Sequence, residues 1–168
     1  MSSASASRRA PRRASAVPVA LAVALAGCSS ASSDGGTGPA APSPSGAAAG
    51  ACRALDGELP RRVDGQERHA PGTAPEYTAA WGDPAVELRC GVPRPEVLSP
   101  GSEHYNPTSD AAEVNGVSWL IEEREDGYRF TTTERSAYVE VTVPGAYAPE
   151  IGVLTELAAA VKTVPPRG

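Results

Sequence analysis

The sequence predicts an α+β domain: a small antiparallel sheet of four to five strands, with an N-terminal and a C-terminal helix packed on one face and one disulfide. Three observations carry this. The middle of the chain holds segments that alternate apolar and polar residues, joined mostly by short turns, and short connections suit antiparallel pairing. Apolar residues at helical spacing flank those segments on both sides, each set on one side of its helix. Two cysteines fall on the inward faces of the first helix and of a strand. A one-sided helix must bury its stripe against another layer, so both helices are expected to cover the same sheet face.

The first 27 residues read as an address rather than as part of this fold. Arg8, Arg9, Arg12 and Arg13 form a positive start, and an apolar stretch runs from Val17 to Gly27. It is about half of the roughly 20 residues a spanning helix needs, which suits a signal peptide. Leu25-Ala26-Gly27-Cys28 matches the lipobox of bacterial lipoproteins: small residues fit the signal-peptidase site, and Cys28 supplies the thiol that takes a diacylglyceryl group. The expected location is therefore the outer face of the cytoplasmic membrane, with the chain held through lipid on Cys28. Loss of the leader's four arginines leaves eleven of the 15 basic residues against 20 acidic ones, a net charge near −9. Such a surface excludes nucleic acid and anionic lipid as partners.

Residues 28–50 form the next unit, the lipidated Cys28 and a Ser/Ala/Gly/Pro tract broken by Asp34 and Thr37. Its composition predicts a disordered tether with a mean reach of about 25 Å. Its glycine run lacks the Lys of a phosphate loop.

A single domain is expected over 51–168. Cys52, Leu55 and Leu59 share a helical face that Pro60 ends. Tyr77–Trp81, the turn Gly82-Asp83-Pro84 and Ala85–Cys90 read as a hairpin, with Val86, Leu88 and Cys90 inward and Glu87 and Arg89 outward. Pro93, Pro95, Pro100 and Pro107 mark an irregular loop. Strands follow at Val117–Glu123, Tyr128–Thr133 and Ala137–Val143. A helix from Pro149 to Val164 carries the stripe Ile151, Leu154, Leu157, Ala158 and Val161, and Pro149 fits its first turn.

With Cys28 consumed by lipid, Cys52 and Cys90 remain, and in an exported chain they read as a disulfide. A metal pair or a redox couple is the rival reading. Zinc needs three or four ligands, neither His69 nor His104 sits at ligand spacing, and no Cys-x-x-Cys occurs, so no metal or cofactor is expected. The sequence has no G-x-S-x-G, S-x-x-K or H-E-x-x-H motif. His69 and His104 read as solvated loop histidines, and Glu122, Glu123, Glu125 and Asp126 as a water-facing hairpin tip. Trp81 and Trp119 suit either core anchors or an aromatic platform. Arg89, Arg94 and Arg135 lie near strand ends, where they would grip a carboxylate or phosphate. Trp81, Arg89, Arg94 and Arg135 are the candidate binding residues.

Three strings carry a resemblance: 80–93 (Ala-Trp-Gly-Asp-Pro-Ala-Val-Glu-Leu-Arg-Cys-Gly-Val-Pro), 114–120 (Val-Asn-Gly-Val-Ser-Trp-Leu) and 135–144 (Arg-Ser-Ala-Tyr-Val-Glu-Val-Thr-Val-Pro). Together they resemble the actinobacterial lipoprotein family catalogued as domain of unknown function 3515, over essentially the whole domain. Cys52 and Cys90 match that family's two cysteines. Ser118 and Glu134 depart from it, since members often carry Asp and Gly there. The resemblance implies an envelope lipoprotein and supplies no reaction, cofactor or substrate. The expected function is a non-catalytic accessory or binding module of the cell envelope, with an envelope protein or wall component as partner. The alternatives are an extracytoplasmic hydrolase with an unfamiliar site and a solute-binding lipoprotein.

Overall fold

Alternation along the chain decides the sheet. In a computed structural model, which describes residues 41–70 and 72–168, the elements run α1 (Gly46–Glu58), β1 (Arg62–Val63), β2 (Gln66–Glu67), β3 (Thr78–Trp81), β4 (Val86–Val92), β5 (Ala111–Val114), β6 (Val117–Arg124), β7 (Gly127–Thr132), β8 (Tyr138–Pro144) and α2 (Ile151–Val161). β3 to β8 form one sheet in the order β3-β4-β8-β7-β6-β5, every neighbour antiparallel. β1 and β2 form a separate ribbon.

The α+β class and the disulfide hold, and the strand number is corrected from four or five to six plus the ribbon. The missed strands flank two-residue turns, Asp64-Gly65 and Asn115-Gly116, in which all four residues have positive φ (49°, 73°, 50° and 78°). Asp-Gly and Asn-Gly are the pairs that such hairpin turns favour. Their flanking strands are too short for alternation to stand out.

The expected start of the domain at 51 also moves. α1 begins at Gly46, and Ala49 and Pro42 are buried. Pro44 lies across Gly91, which has φ 86° at an irregularity in the β4–β8 pairing. A Cβ at Gly91 would meet the Pro44 ring at 2.5 Å, so glycine there serves both the bulge and the close approach. The leader, Cys28 and the tether up to residue 40 lie outside the described residues.

One face of the sheet carries the core. Val86, Leu88 and Cys90 of β4, Trp119 of β6, Phe130 of β7 and Val139, Val141 and Val143 of β8 are buried with Cys52 and Leu55 of α1 and with Val153, Leu154, Leu157, Ala158, Ala160 and Val161 of α2. Both helices cover this face and touch each other. Ile151, expected on the α2 stripe, is 44% exposed, and Val153 and Ala160 are buried instead. Cys52 and Cys90 are disulfide-bonded, joining α1 to β4. Among the described residues, no helix is long and apolar enough to cross a membrane.

The topology then forces a crossing. β4 and β5 are separated in the sheet by β8, β7 and β6, so the chain from Pro93 to Asp110 must travel about 19 Å across the strands. The helices occupy one face. The Pro-rich segment therefore passes over the other.

Candidate functional site

The face of the sheet away from the helices bears a row of charges set by strand register. Arg89 on β4 pairs with Glu140 on β8, Glu140 with Thr131 on β7, and Arg129 on β7 with Glu122 on β6. These side chains alternate with the core residues and so point away from the helices. The tightest contact is bidentate: Arg129 Nε and Nη2 donate to Glu122 Oε2 and Oε1 at 3.0 and 2.9 Å. Glu140, only 12% exposed, lies more loosely between two guanidiniums, 3.5 Å from Arg89 and 3.9 Å from Arg129. Charge-assisted hydrogen bonds run nearer 2.7–2.9 Å. Glu140 is held by charge rather than by tight bonds.

The Pro-rich segment turns this face into a cleft of about 390 Å³, with Arg89, Arg129, Thr131, Glu122 and Glu140 as floor and Val92 to Val97 and His104 as wall. The wall is ordered from within. Arg94 Nε and Nη2 donate to the Leu98 carbonyl at 3.0 and 2.7 Å, and the Asn106 amide donates to the Val97 carbonyl at 2.9 Å. Prolines fix φ along the wall and reduce the entropy lost in ordering it.

Two buried polar atoms on the floor have no protein partner: Arg89 Nε and the Thr131 hydroxyl oxygen. Thr131 is 1% exposed. The two stand on strands either side of β8, with Glu140 between them, and each costs roughly 1–3 kcal/mol while it is unpaired; Trp119 Nε1, in the core, is unpartnered as well. Glu87, next along β4, has its carboxyl pushed up by burial; Arg89 opposes this and Glu140 adds to it.

The structure brings together two of the four candidate binding residues, Arg89 and Arg94. Trp81 is fully buried, donates its indole N–H to the Pro60 carbonyl at 3.0 Å and belongs to the core. Trp119 is buried in the same core. Arg135 ties down the segment after α2: it donates to the carbonyls of Gly116 (2.8 Å) and Val164 (3.4 Å), while Arg167 donates to the Arg135 carbonyl at 3.0 Å. Neither Trp81 nor Arg135 lines the cleft.

Glu122 corrects the hairpin-tip expectation, being paired and half-buried while Glu123, Glu125 and Asp126 are exposed. Both histidines are exposed; His69 Nε2 lies 2.9 Å from the Gly82 carbonyl and His104 3.6 Å from Glu96. Among the described residues, no group of three His, Cys, Asp or Glu side chains is placed to hold a metal ion. The departures at 118 and 134 meet, since the Ser118 hydroxyl lies 3.2 Å from Glu134 Oε2.

A second cleft, of about 360 Å³, lies beside Arg53, Asp56, Arg68, His69 and Tyr77. Its groups satisfy one another: Arg53 donates to the Tyr77 hydroxyl at 3.0 Å and Arg68 to Asp56 at 2.5 Å. Tyr77 sits at φ 65°, strained for an aromatic residue, and its carbonyl accepts the Cys90 amide. That hydrogen bond, 2.9 Å long, extends the β3–β4 pairing by one residue and helps to offset the strain.

Fold and site together define a two-layer α+β domain, disulfide-stapled on its core side and bearing a roofed polar cleft on the other. The chain belongs to the family described as Protein of unknown function (DUF3515), which matches residues 14–168. No curated protein and no solved structure matches it.

Proposed function

We propose that the chain is a lipid-anchored, extracytoplasmic lipoprotein that serves as a non-catalytic binding module of the cell envelope, with the cleft under the Pro-rich segment as its ligand site. The observation that carries the reading is the pair of unpartnered buried groups, Arg89 Nε and the Thr131 hydroxyl, on the floor of a roofed cleft. A floor of charged side chains fixed by strand register is preorganised for binding, and the side chains that line it include no Ser–His or Cys–His pair. Lipidation at Cys28 rests on the Leu25-Ala26-Gly27-Cys28 lipobox, which lies within the matched span 14–168. The actinobacterial setting rests on the same resemblance.

The test is hydrogen exchange on the full exported chain, alone and with a membrane-and-wall fraction of the host. Protection is expected over residues 92–97 and 129–131, and its loss in Arg89→Met. Equal exchange in those segments with and without the fraction overturns the reading.

A further inference from the structure

We infer that the cleft takes an uncharged, hydroxyl-rich ligand, a saccharide unit, rather than an anion or a cation. This deepens the binding reading above and rests on it. The argument starts from what each floor group can do. A carboxylate only accepts hydrogen bonds and a guanidinium only donates them, whereas a hydroxyl does both. Along the floor the two kinds alternate: Glu122, Arg129, Glu140, Arg89. An anion drawn to Arg89 meets Glu140, whose nearest oxygen is 3.5 Å from that guanidinium, and a cation drawn to Glu140 meets Arg89 and Arg129. Either incoming charge loses to repulsion much of what it gains by attraction.

A hydroxyl placed against the loose Arg89–Glu140 pair accepts from one and donates to the other, and breaks neither. Two adjacent hydroxyls also match the forked ends of the two side chains. Thr131 lines the same floor beside Glu140, its hydroxyl buried and unpaired and able both to donate and to accept. The wall completes the match. Val92, Pro93, Pro95 and Val97 offer apolar surface to the C–H face of a sugar ring, above a floor that addresses its hydroxyl edge.

The experiment is a thermal-midpoint titration of the full, lipidated chain in detergent. The probes are the N-acetylglucosamine disaccharide and maltose, with inorganic phosphate, ethanolamine and a doubly capped dipeptide as comparison. A saccharide is expected to raise the midpoint saturably. Arg89→Met should abolish the shift, and Thr131→Val should weaken the apparent affinity about tenfold without lowering the unliganded midpoint. A saturable, Arg89-dependent shift from phosphate, ethanolamine or the dipeptide, with none from either sugar, overturns the saccharide assignment and leaves the binding reading standing. Flat responses to both sugars overturn the saccharide assignment; if the envelope fraction also fails to protect the cleft from exchange, the binding reading falls with it.

Discussion

Thr131 occupies a position where the fold alone would be better served by valine. Its hydroxyl oxygen is buried without a protein partner, one strand away from the Glu140 carboxylate. Removing such a hydroxyl while keeping the side-chain shape recovers desolvation free energy, so Thr131→Val is expected to stabilise the unliganded domain by about 1 kcal/mol. Urea unfolding measures this; a loss of stability would show that the hydroxyl has a structural role. Stability gained together with affinity lost marks a residue kept for binding. Glu87 makes a second residue-scale case. Burial raises its folded pKa above the ordinary 4.5, so the fold prefers the protonated form. The stability tied to that preference is present below pH 4.5 and is lost as pH rises through the raised value. Glu87→Gln, uncharged throughout, should flatten the pH dependence of the thermal midpoint just above pH 4.5. An unchanged profile there would remove Glu87 as its cause.

At the scale of elements, the disulfide joins two pieces that otherwise meet through side-chain packing alone. Cys52 and Cys90 are 38 residues apart, and closing a loop of that length removes about 4 kcal/mol of unfolded-chain entropy in the simplest account. Cys52→Ala with Cys90→Ala is expected to cost roughly 2–5 kcal/mol, read from denaturant midpoints at constant slope. A cost below 1 kcal/mol would mean that packing alone fixes α1 on β4. This link was legible in the sequence because cysteine arithmetic and strand alternation agreed. So were β4, β6, β7, β8 and α2, all with long alternating or one-sided patterns. β5 and the β1–β2 ribbon were not, because short strands carry their signal in the turn, and Asn115-Gly116 and Asp64-Gly65 were that signal. The floor of the cleft was half legible. Arg89 stood out as an outward residue on a strand, but Glu140 and Arg129 become its neighbours only through the β4–β8–β7 order, which local pattern does not encode.

Over the whole molecule, the described residues begin beside the site. Pro44 rests on Gly91, and the next residue, Val92, opens the wall of the cleft. Cys28 precedes Pro42 by 14 residues, so the two Cα atoms lie no farther apart than about 50 Å even at full extension. The lipid proposed at Cys28 would act through this short covalent stretch of chain. Two acyl chains bind far more firmly than one, and the apolar stretch from Val17 to Gly27 is about half of a spanning helix, so the attachment depends on the cysteine itself. Cys28→Ala is therefore expected to move the exported protein from the membrane pellet into the soluble extracytoplasmic fraction. Intact-mass measurement of the unmodified chain should show residues 1–27 absent and a diacylglyceryl adduct at residue 28. If the unsubstituted chain carries no such adduct, or if Cys28→Ala sediments with membranes as completely as its parent, the attachment must lie elsewhere.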